Sequence, residues 1–406
     1  MPTTPITGDQ RFVKNLNRMA LLRLLRDESG LSRVDLANRS GLTKSTIGLI
    51  TKELIDEGWL MEDGALVTGA LGRRPTPLHL DGRHLVLIGS ELGPDTIRVV
   101  ATSIRGEVLE MNQAALRSKE PDAACHQLVE MVTAQAAKVA KGSAELLGIG
   151  VGLPGSVNPV SGVLQVAPNI GWRQVEVGKR LAAEMAAAGL AAVPVYYQNE
   201  ADLAAVGESE FGVRPVEDPL VYVSCGVGVG AGIILNDALF TGASGFAGEI
   251  GHTTLAIEGR QCSCGRLGCA ESYVGLKAIA ADADCLLKGG AVNRVALKAQ
   301  MAARNPKAHD AFAVAGNVLG VLLQNVWTTF NPQVIVLGGE TVALGGEQFL
   351  AAAIGRLGLF ARAAGLPGPV VRVAKYGELA TAVGGAAFAL HSLLRPYGPD
   401  LLRRSN

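Results

Sequence analysis

Apolar side chains near the N-terminus fall at helical spacing. Leu16, Met19, Ala20 and Leu24 mark one face, which predicts a first helix over about 14–27 with Arg18 and Arg26 turned toward water. Ser32 with Asp35 three residues on resembles a capping box, with Asp in place of Glu or Gln, and opens a second helix that stops before Gly41. Gly41-Leu42 then makes a tight turn. Thr43 is a good N-cap for a third helix, on which Ile47, Ile50 and Leu54 form an apolar stripe until Gly58. Trp59-Leu60-Met61 and Ala65-Leu66-Val67 flank Asp63-Gly64, a favoured hairpin turn, and Gly72-Arg73-Arg74-Pro75 follows. A helix-turn-helix with a hairpin behind it is a winged helix.

After Pro77 the pattern changes. Leu85–Ile88, Ile97–Val100 and Gly106–Leu109 read as three strands in a meander, an Ala-rich helix spans about 121–141, and Leu147–Gly152 reads as a further strand. Strands and helices alternate to about residue 390, and a second half begins near Leu220–Val223, so the rest of the chain is α/β with two lobes and a cleft between them. The expected domains are a winged helix-turn-helix over 1–80, a first α/β lobe over 81–200, and a second α/β lobe over 201–406.

Charge sharpens the reading of the first segment. Thirty-seven basic and 37 acidic side chains cancel over 406 residues, so no chain-wide field exists to hold a polyanion. Residues 1–52 carry nine basic side chains against four acidic ones, a local excess of five. On the third helix Lys44, Ser45, Thr46, Gly48, Thr51 and Lys52 are short or basic and suit phosphates and base edges, while Arg73 and Arg74 of the wing suit phosphate or the minor groove. A helical protein-interaction domain with a solvated basic face is the alternative. The first 25 residues interrupt their apolar stretch with Arg11, Lys14, Arg18 and Arg23, and the uncharged run 219–236 is broken by glycines. Neither a secretory signal nor a transmembrane helix is expected, which points to the cytoplasm. Glycine is abundant, at 51 residues, and implies many tight turns or close backbone approaches.

Three of the six cysteines fall within eight residues, unlike a disulfide framework. Cys262 and Cys264, Cys269 five residues later, and His252 ten residues upstream supply three thiolates and one imidazole. That set suits tetrahedral zinc, and four protein ligands leave no open position, so the Zn2+ is expected to be structural. Three free buried cysteines are the alternative.

Gly251-His252, nine intervening residues, and Cys262-Ser263-Cys264-Gly265-Arg266-Leu267-Gly268-Cys269-Ala270-Glu271 closely resemble the signature of the ROK family of repressors, open reading frames and sugar kinases. With the winged helix in front, the chain resembles ROK transcriptional repressors of the xylose-repressor or N-acetylglucosamine-repressor type over about 12–395. The resemblance implies a winged helix-turn-helix followed by a two-lobed actin-like ATPase (ribonuclease H-like) fold with a zinc loop. It also implies an effector site at Gly155, Asn199, Glu200, Glu249, His252 and Glu271, because the family's kinases hydrogen-bond sugar hydroxyls with the matching glutamates and histidine. Glu200 stands where the kinases have an aspartate general base, and its extra methylene displaces the oxygens. A solvated helix start is the alternative for Glu200 and Glu208.

The family's first phosphate motif, D-x-G-G-T, reads Glu91-Leu92-Gly93-Pro94-Asp95 here. Pro94 removes a backbone N–H donor, and Asp95 puts a carboxylate where ATP brings phosphates. In the second loop Val227 replaces the phosphate-binding threonine, while Val334–Gly339 is nearly intact and can persist as a strand and turn. The sequence therefore points to a non-enzymatic, sugar-responsive repressor of carbohydrate uptake or catabolism genes. Its partners would be double-stranded operator DNA and a sugar effector, and it would act as a homodimer or dimer of dimers. An ATP-dependent ROK sugar kinase with an accessory N-terminal domain is one rival. A regulator controlled by a protein partner is the other.

Overall fold

The computed structural model describes residues 10–63, 76–142, 144–158, 161–213 and 217–395. At the N-terminus α1 (Gln10–Asp27), α2 (Arg33–Ser40) and α3 (Lys44–Asp56) follow the expected pattern. Ser32 and Asp35 form a reciprocal capping box, Thr43 Oγ1 accepts from the Thr46 N–H, and Gly41 turns the chain at φ +72°. Strand β1 (Leu60–Glu62) pairs antiparallel with β2 (Leu78–Leu80), a three-residue strand too short to register in the sequence pattern. Gly64 of the expected hairpin turn, the strand at 65–67, and Arg73 and Arg74 lie outside the described residues.

Three expectations for this module need correction. The face of α1 that is fully buried carries Leu21, Leu22 and Leu25, whereas Leu16, Met19, Ala20 and Leu24 are half-buried. Arg26 does not reach water: it is buried against Glu210, Asp27 and Asp237, because α1 is covered by the second lobe as well as by its own module. Thr51 is also buried, its hydroxyl donating to Ile47 O at 2.8 Å and accepting from Arg33 Nε at 3.0 Å. The local charge excess is largely neutralised by acids just beyond it: Lys14 and Arg18 pair with Glu53, Arg18 with Glu57, and Arg33 with Glu62.

Two five-stranded sheets of the same topology follow. The first comprises β3 (Leu85–Leu92), β4 (Thr96–Ser103) and β5 (Val108–Ala115) as the expected meander, then α4 (Pro121–Lys141) and β6 (Glu145–Leu153). A small sheet of β7 (Ser156–Val157), β8 (Leu164–Ala167) and β9 (Trp172–Val175) intervenes, then α5 (Val177–Ala187) and β10 (Val195–Asn199), giving the order β10-β6-β3-β4-β5. Helix α6 (Glu200–Phe211) crosses to the second sheet, built from β11 (Leu220–Cys225), β12 (Val229–Leu235) and β13 (Ala238–Leu239). The short helices α7 (Glu271–Val274), α8 (Leu276–Asp282) and α9 (Arg294–Ala302) lead into α10 (Pro306–Phe330). Strand β14 (Val334–Gly338), α11 (Glu340–Ala364) and β15 (Val370–Val373) complete the order β13-β12-β11-β14-β15, and α12 (Ala380–Leu393) returns to the first sheet.

Helices α6 and α12 therefore cross between the sheets and pack on one another. Glycine makes the crossing possible: a Cβ on Gly89 would lie 1.8 Å from Ala382 O, and one on Gly150 1.9 Å from Gly385 O. Part of the glycine excess thus serves helix-on-sheet contact and not turns. The apolar core of the N-terminal module runs without a break into the core around α6 and α12. Helix α10 is long and apolar enough to cross a membrane by length and composition, but its Leu319, Leu322 and Leu323 are buried where it packs on α11.

Candidate functional site

The inter-lobe cleft is built around the start of α6. Asn199 ends β10 and caps α6, its Oδ1 accepting from Ala201 N–H at 2.8 Å, while its Nδ2 donates to Gly155 O at 2.8 Å. Gly155 stands behind the cavity at φ +79°, where a Cβ would lie 2.2 Å from Val166 O, and its N–H donates to Glu200. A cavity of about 100 Å³ is lined by Asn199, Glu200, Asp202, Glu249, His252 and Glu271. Five of the six expected effector residues thus line one cavity, and the sixth, Gly155, holds two of them.

The carboxyls of this cavity crowd one another. Burial, with the charges of Glu91 and Glu249, pushes Glu200 up to about 8. Burial and the Glu249 charge raise Asp202 well above the ordinary range, and burial, opposed by His252 and aided by Glu271, raises Glu249. Near neutral pH Glu200 keeps its proton and can both donate to and accept from a hydroxyl. Asp202 went unremarked in the sequence; its place one helical turn beyond Asn199 was the available signal. Glu208, further along α6, is not solvated: it is buried, accepting from Arg372 Nη1 at 2.5 Å and from the Lys375 N–H at 2.7 Å.

His252 and Glu271 join the cavity to the cysteine loop. Cys262 N–H donates to Arg266 O at 2.9 Å, and Gly265 and Gly268 take φ of +90° and +72°, folding the loop back on itself. Its ligand atoms lie within 4.8 Å of one another, with Cys264 Sγ 3.7 Å from Cys269 Sγ and Cys262 Sγ 3.8 Å from His252 Nδ1. Tetrahedral bonds of about 2.3 Å to sulfur place ligands about 3.7 Å apart, so the four residues fit Zn2+ in spacing and in chemistry. Nε2 of His252 points the other way, 3.9 Å from Glu249 Oε2. Glu271 Oε2 accepts from Val229 N–H at 3.1 Å and Oε1 from Ser263 Oγ at 3.0 Å, so its position is fixed by both β12 and the loop.

Residues 87–392, about three quarters of the chain, match the ROK family. The chain belongs to the ROK family. Residues 14–61 match the winged helix-turn-helix DNA-binding family, so this ROK chain carries a winged helix-turn-helix ahead of its two lobes. It is 32% identical over 340 residues to the xylose repressor of Bacillus subtilis, covering 82% of this chain and 85% of that one. It is 30% identical over 345 residues to the DNA-binding transcriptional dual regulator NagC of Escherichia coli, covering 82% of each. A crystal structure of a ROK family transcriptional regulator, a homolog of the E. coli MLC protein, matches its fold with a TM-score of 0.74 at 23% identity over 97% of this chain and 99% of that one.

Between the 91–95 turn and the 225–232 glycine loop, this ROK chain has a cavity of about 380 Å³ bordered by Glu91, Asp95, Glu200, Glu340 and Glu378. Its two arginines are paired: Arg98 with Glu91 at 3.0 Å and Glu378 at 3.9 Å, Arg294 with Glu340 at 2.7 Å and Asp95 at 3.8 Å. The Gly93 N–H donates within its own turn to Thr96 O at 2.9 Å. Pro94 and Val227 also line this space and offer no donor from N–H or hydroxyl respectively.

The outward face of α3 presents Lys44, Ser45 and Lys52 exposed and Thr46 half-buried. Leu49, 58% exposed on the same helix, was missed in the sequence because it looks like a misplaced core residue; an apolar side chain there suits a thymine methyl group. A Cβ on Gly48 would meet nothing within 4 Å, so no packing inside the protein calls for glycine at that position.

Proposed function

We propose that this chain is a sugar-responsive DNA-binding repressor of carbohydrate uptake or catabolism genes, without kinase activity. The observation that carries the reading is a carboxyl-lined cavity beside a second cavity bordered by acidic side chains, in a chain that also bears a helix-turn-helix with a free basic face. Lys44 and Lys52 have no ion pair among the described residues, and with Ser45, Thr46, Arg73 and Arg74 they would meet operator DNA. Four carboxylates, two on each of the paired arginines, oppose a triphosphate, and the hydroxyl-bearing ligand is left as the natural occupant.

The sugar would sit among Asn199, Glu200, Glu249, His252 and Glu271, on the loop fixed by Gly155. Zn2+ held by His252, Cys262, Cys264 and Cys269 would be structural and would supply rigidity at the cavity wall. With Nδ1 directed at the cysteines, the His252 ring is fixed so that Nε2 faces the ligand. A ligand touching both lobes shifts their closure to the extent that it prefers one state, and closure moves the winged helices. A homodimer or dimer of dimers in the cytoplasm would set those helices at a multiple of the DNA helical turn and read a pseudo-palindromic operator.

Operator fragments selected from the source genome, titrated with the full chain at several salt concentrations, test the reading. Replacing Lys44 and Lys52, or Arg73 and Arg74, by alanine should weaken binding and flatten the salt slope by about 0.9 for each phosphate no longer neutralised. An unchanged slope removes those residues from the interface. Robust ATP-dependent phosphorylation of any sugar in a coupled assay would sink the non-enzymatic reading.

A further inference from the structure

Beside the carboxylate cavity lies a second chamber of about 490 Å³, several times the size of the first. The two share Pro168, Glu249, His252 and Ser263 as a common wall, so a ligand seated in the inner cavity has room to extend past His252 into the outer one. The outer walls come from both lobes. Across β7, β8 and β9, Ser156 pairs with Val166 and Val166 with Arg173, and directly paired residues share a sheet face, so the three make one row along the chamber. From the other lobe comes Phe246, 54% exposed, on a loop fastened across the cleft where Ser156 Oγ donates to Gly245 O at 3.3 Å.

The chemistry of these walls selects the occupant. Arg173 is exposed and has no hydrogen-bond or ion-pair partner among the described residues, which leaves a five-donor guanidinium free at the rim. Arg266, the other arginine of the chamber, is directed at Cys264. Glu249 places an acidic side chain on the shared wall, which disfavours a strongly anionic ligand. A sugar ring meets each demand: its C–H face packs on an exposed aromatic ring, and its hydroxyls accept from an arginine without bringing charge.

We propose that the effector contains at least two linked sugar units, one in the carboxylate cavity and the second in this chamber, over Phe246 and within reach of Arg173. The inference rests on the sugar-binding reading above and specifies the size of its ligand. Because the second ring touches β9 of one lobe and Phe246 of the other, it reports lobe closure more directly than a single buried ring does.

Calorimetry on the full-length protein decides the matter with three pairs of probes: xylose and xylobiose, glucose and cellobiose, N-acetylglucosamine and chitobiose. In at least one pair the disaccharide should bind about tenfold tighter than its monosaccharide or more. Phe246→Ala and Arg173→Ala should each weaken that disaccharide by about fivefold, the range of one aromatic packing interaction, and leave monosaccharide affinity unchanged. Retained monosaccharide binding shows that the variants fold. Equal affinities in every pair, or disaccharide binding indifferent to both substitutions, overturns the two-unit effector while the sugar reading stands. Failure of all six sugars to bind a protein that still binds its operator overturns the sugar reading, and this inference with it.

Discussion

Arg26 and Glu210 offer the sharpest test of how the DNA-binding module is joined to the lobes. Glu210 lies in the last turn of α6 with its side chain fully buried, and the Arg26 side chain of α1 is only 4% exposed. Arg26 Nη1 donates to Glu210 Oε2 at 2.5 Å, while Arg395 and His391 reach Oε1 at 2.8 and 2.7 Å. Asp237 adds a second carboxylate, 2.7 Å from Arg395 and 3.4 Å from Arg26. Breaking a buried pair by removing one partner typically destabilises by about 3–5 kcal/mol, because the other charge stays buried and uncompensated. Arg26→Ala leaves Oε1 paired and should fall near the lower end. Glu210→Ala strips the carboxylate from buried Arg26 and half-buried Arg395 and should fall at or above the upper end.

Guanidinium denaturation followed by circular dichroism measures each loss, and the double variant gives the coupling, expected at about 1–3 kcal/mol for residues in one network. Hydrogen exchange on α1 should rise in Arg26→Ala, since the same contact fastens the module to α6. Burial alone would raise the Glu210 carboxyl, but Arg26, Arg395 and His391 hold it well below its usual range, so its contribution is present above the unfolded value and lost as pH falls through the folded one. Burial also lowers His391, whose contribution likewise disappears on acidification. The wild type should therefore lose stability toward acid more steeply than Glu210→Ala. Two single variants each within about 1 kcal/mol of wild type, with no measurable coupling, would refute the reasoning. Helix α6 spans about 18 Å, with Glu200 at the cavity end and Glu210 at the Arg26 end, so one helix carries both a cavity residue and the residue that holds α1.

Two further outcomes are expected. Metal analysis should return about one zinc per chain, and Cys269→Ser should lower the melting temperature and weaken ligand binding through the freed His252 ring; a metal-free protein with unchanged melting contradicts the four-ligand site. Glu200, pushed up to about 8 by burial and by the Glu91 and Glu249 charges, holds its proton more tightly folded than unfolded, so it draws stability down as pH rises from 4.5 toward 8. Glu200→Gln mimics the neutral acid and should gain melting temperature over wild type increasingly between pH 5 and pH 8, whereas a gap that stays constant across that range would show that Glu200 is ionised throughout.

Much of this protein is written in local sequence. The Ser32–Asp35 cap, the Thr43 cap, the Gly41 turn and the 121–141 helix follow from interactions within a few residues of each other, and those survive into the folded state because nothing distant opposes them. The cysteine cluster was legible for the same reason: three ligands and two left-handed glycines lie within one short loop. Tertiary structure decided the rest. Arg26 looked like a solvated helix residue because its partners lie 184 and 211 positions away, on α6 and beside β13. The face of α1 was misjudged because two surfaces, not one, cover it. The shift of Glu200 depends on Glu91 and Glu249, brought together from both lobes, and no spacing along the chain encodes their mutual repulsion. The glycine excess could mean turns or close backbone approaches, and only the crossing helices assign the glycines of β3, β6 and α12 to the second, since close approach leaves no local mark in a sequence. Charges and close contacts act through space, and only the fold sets those distances.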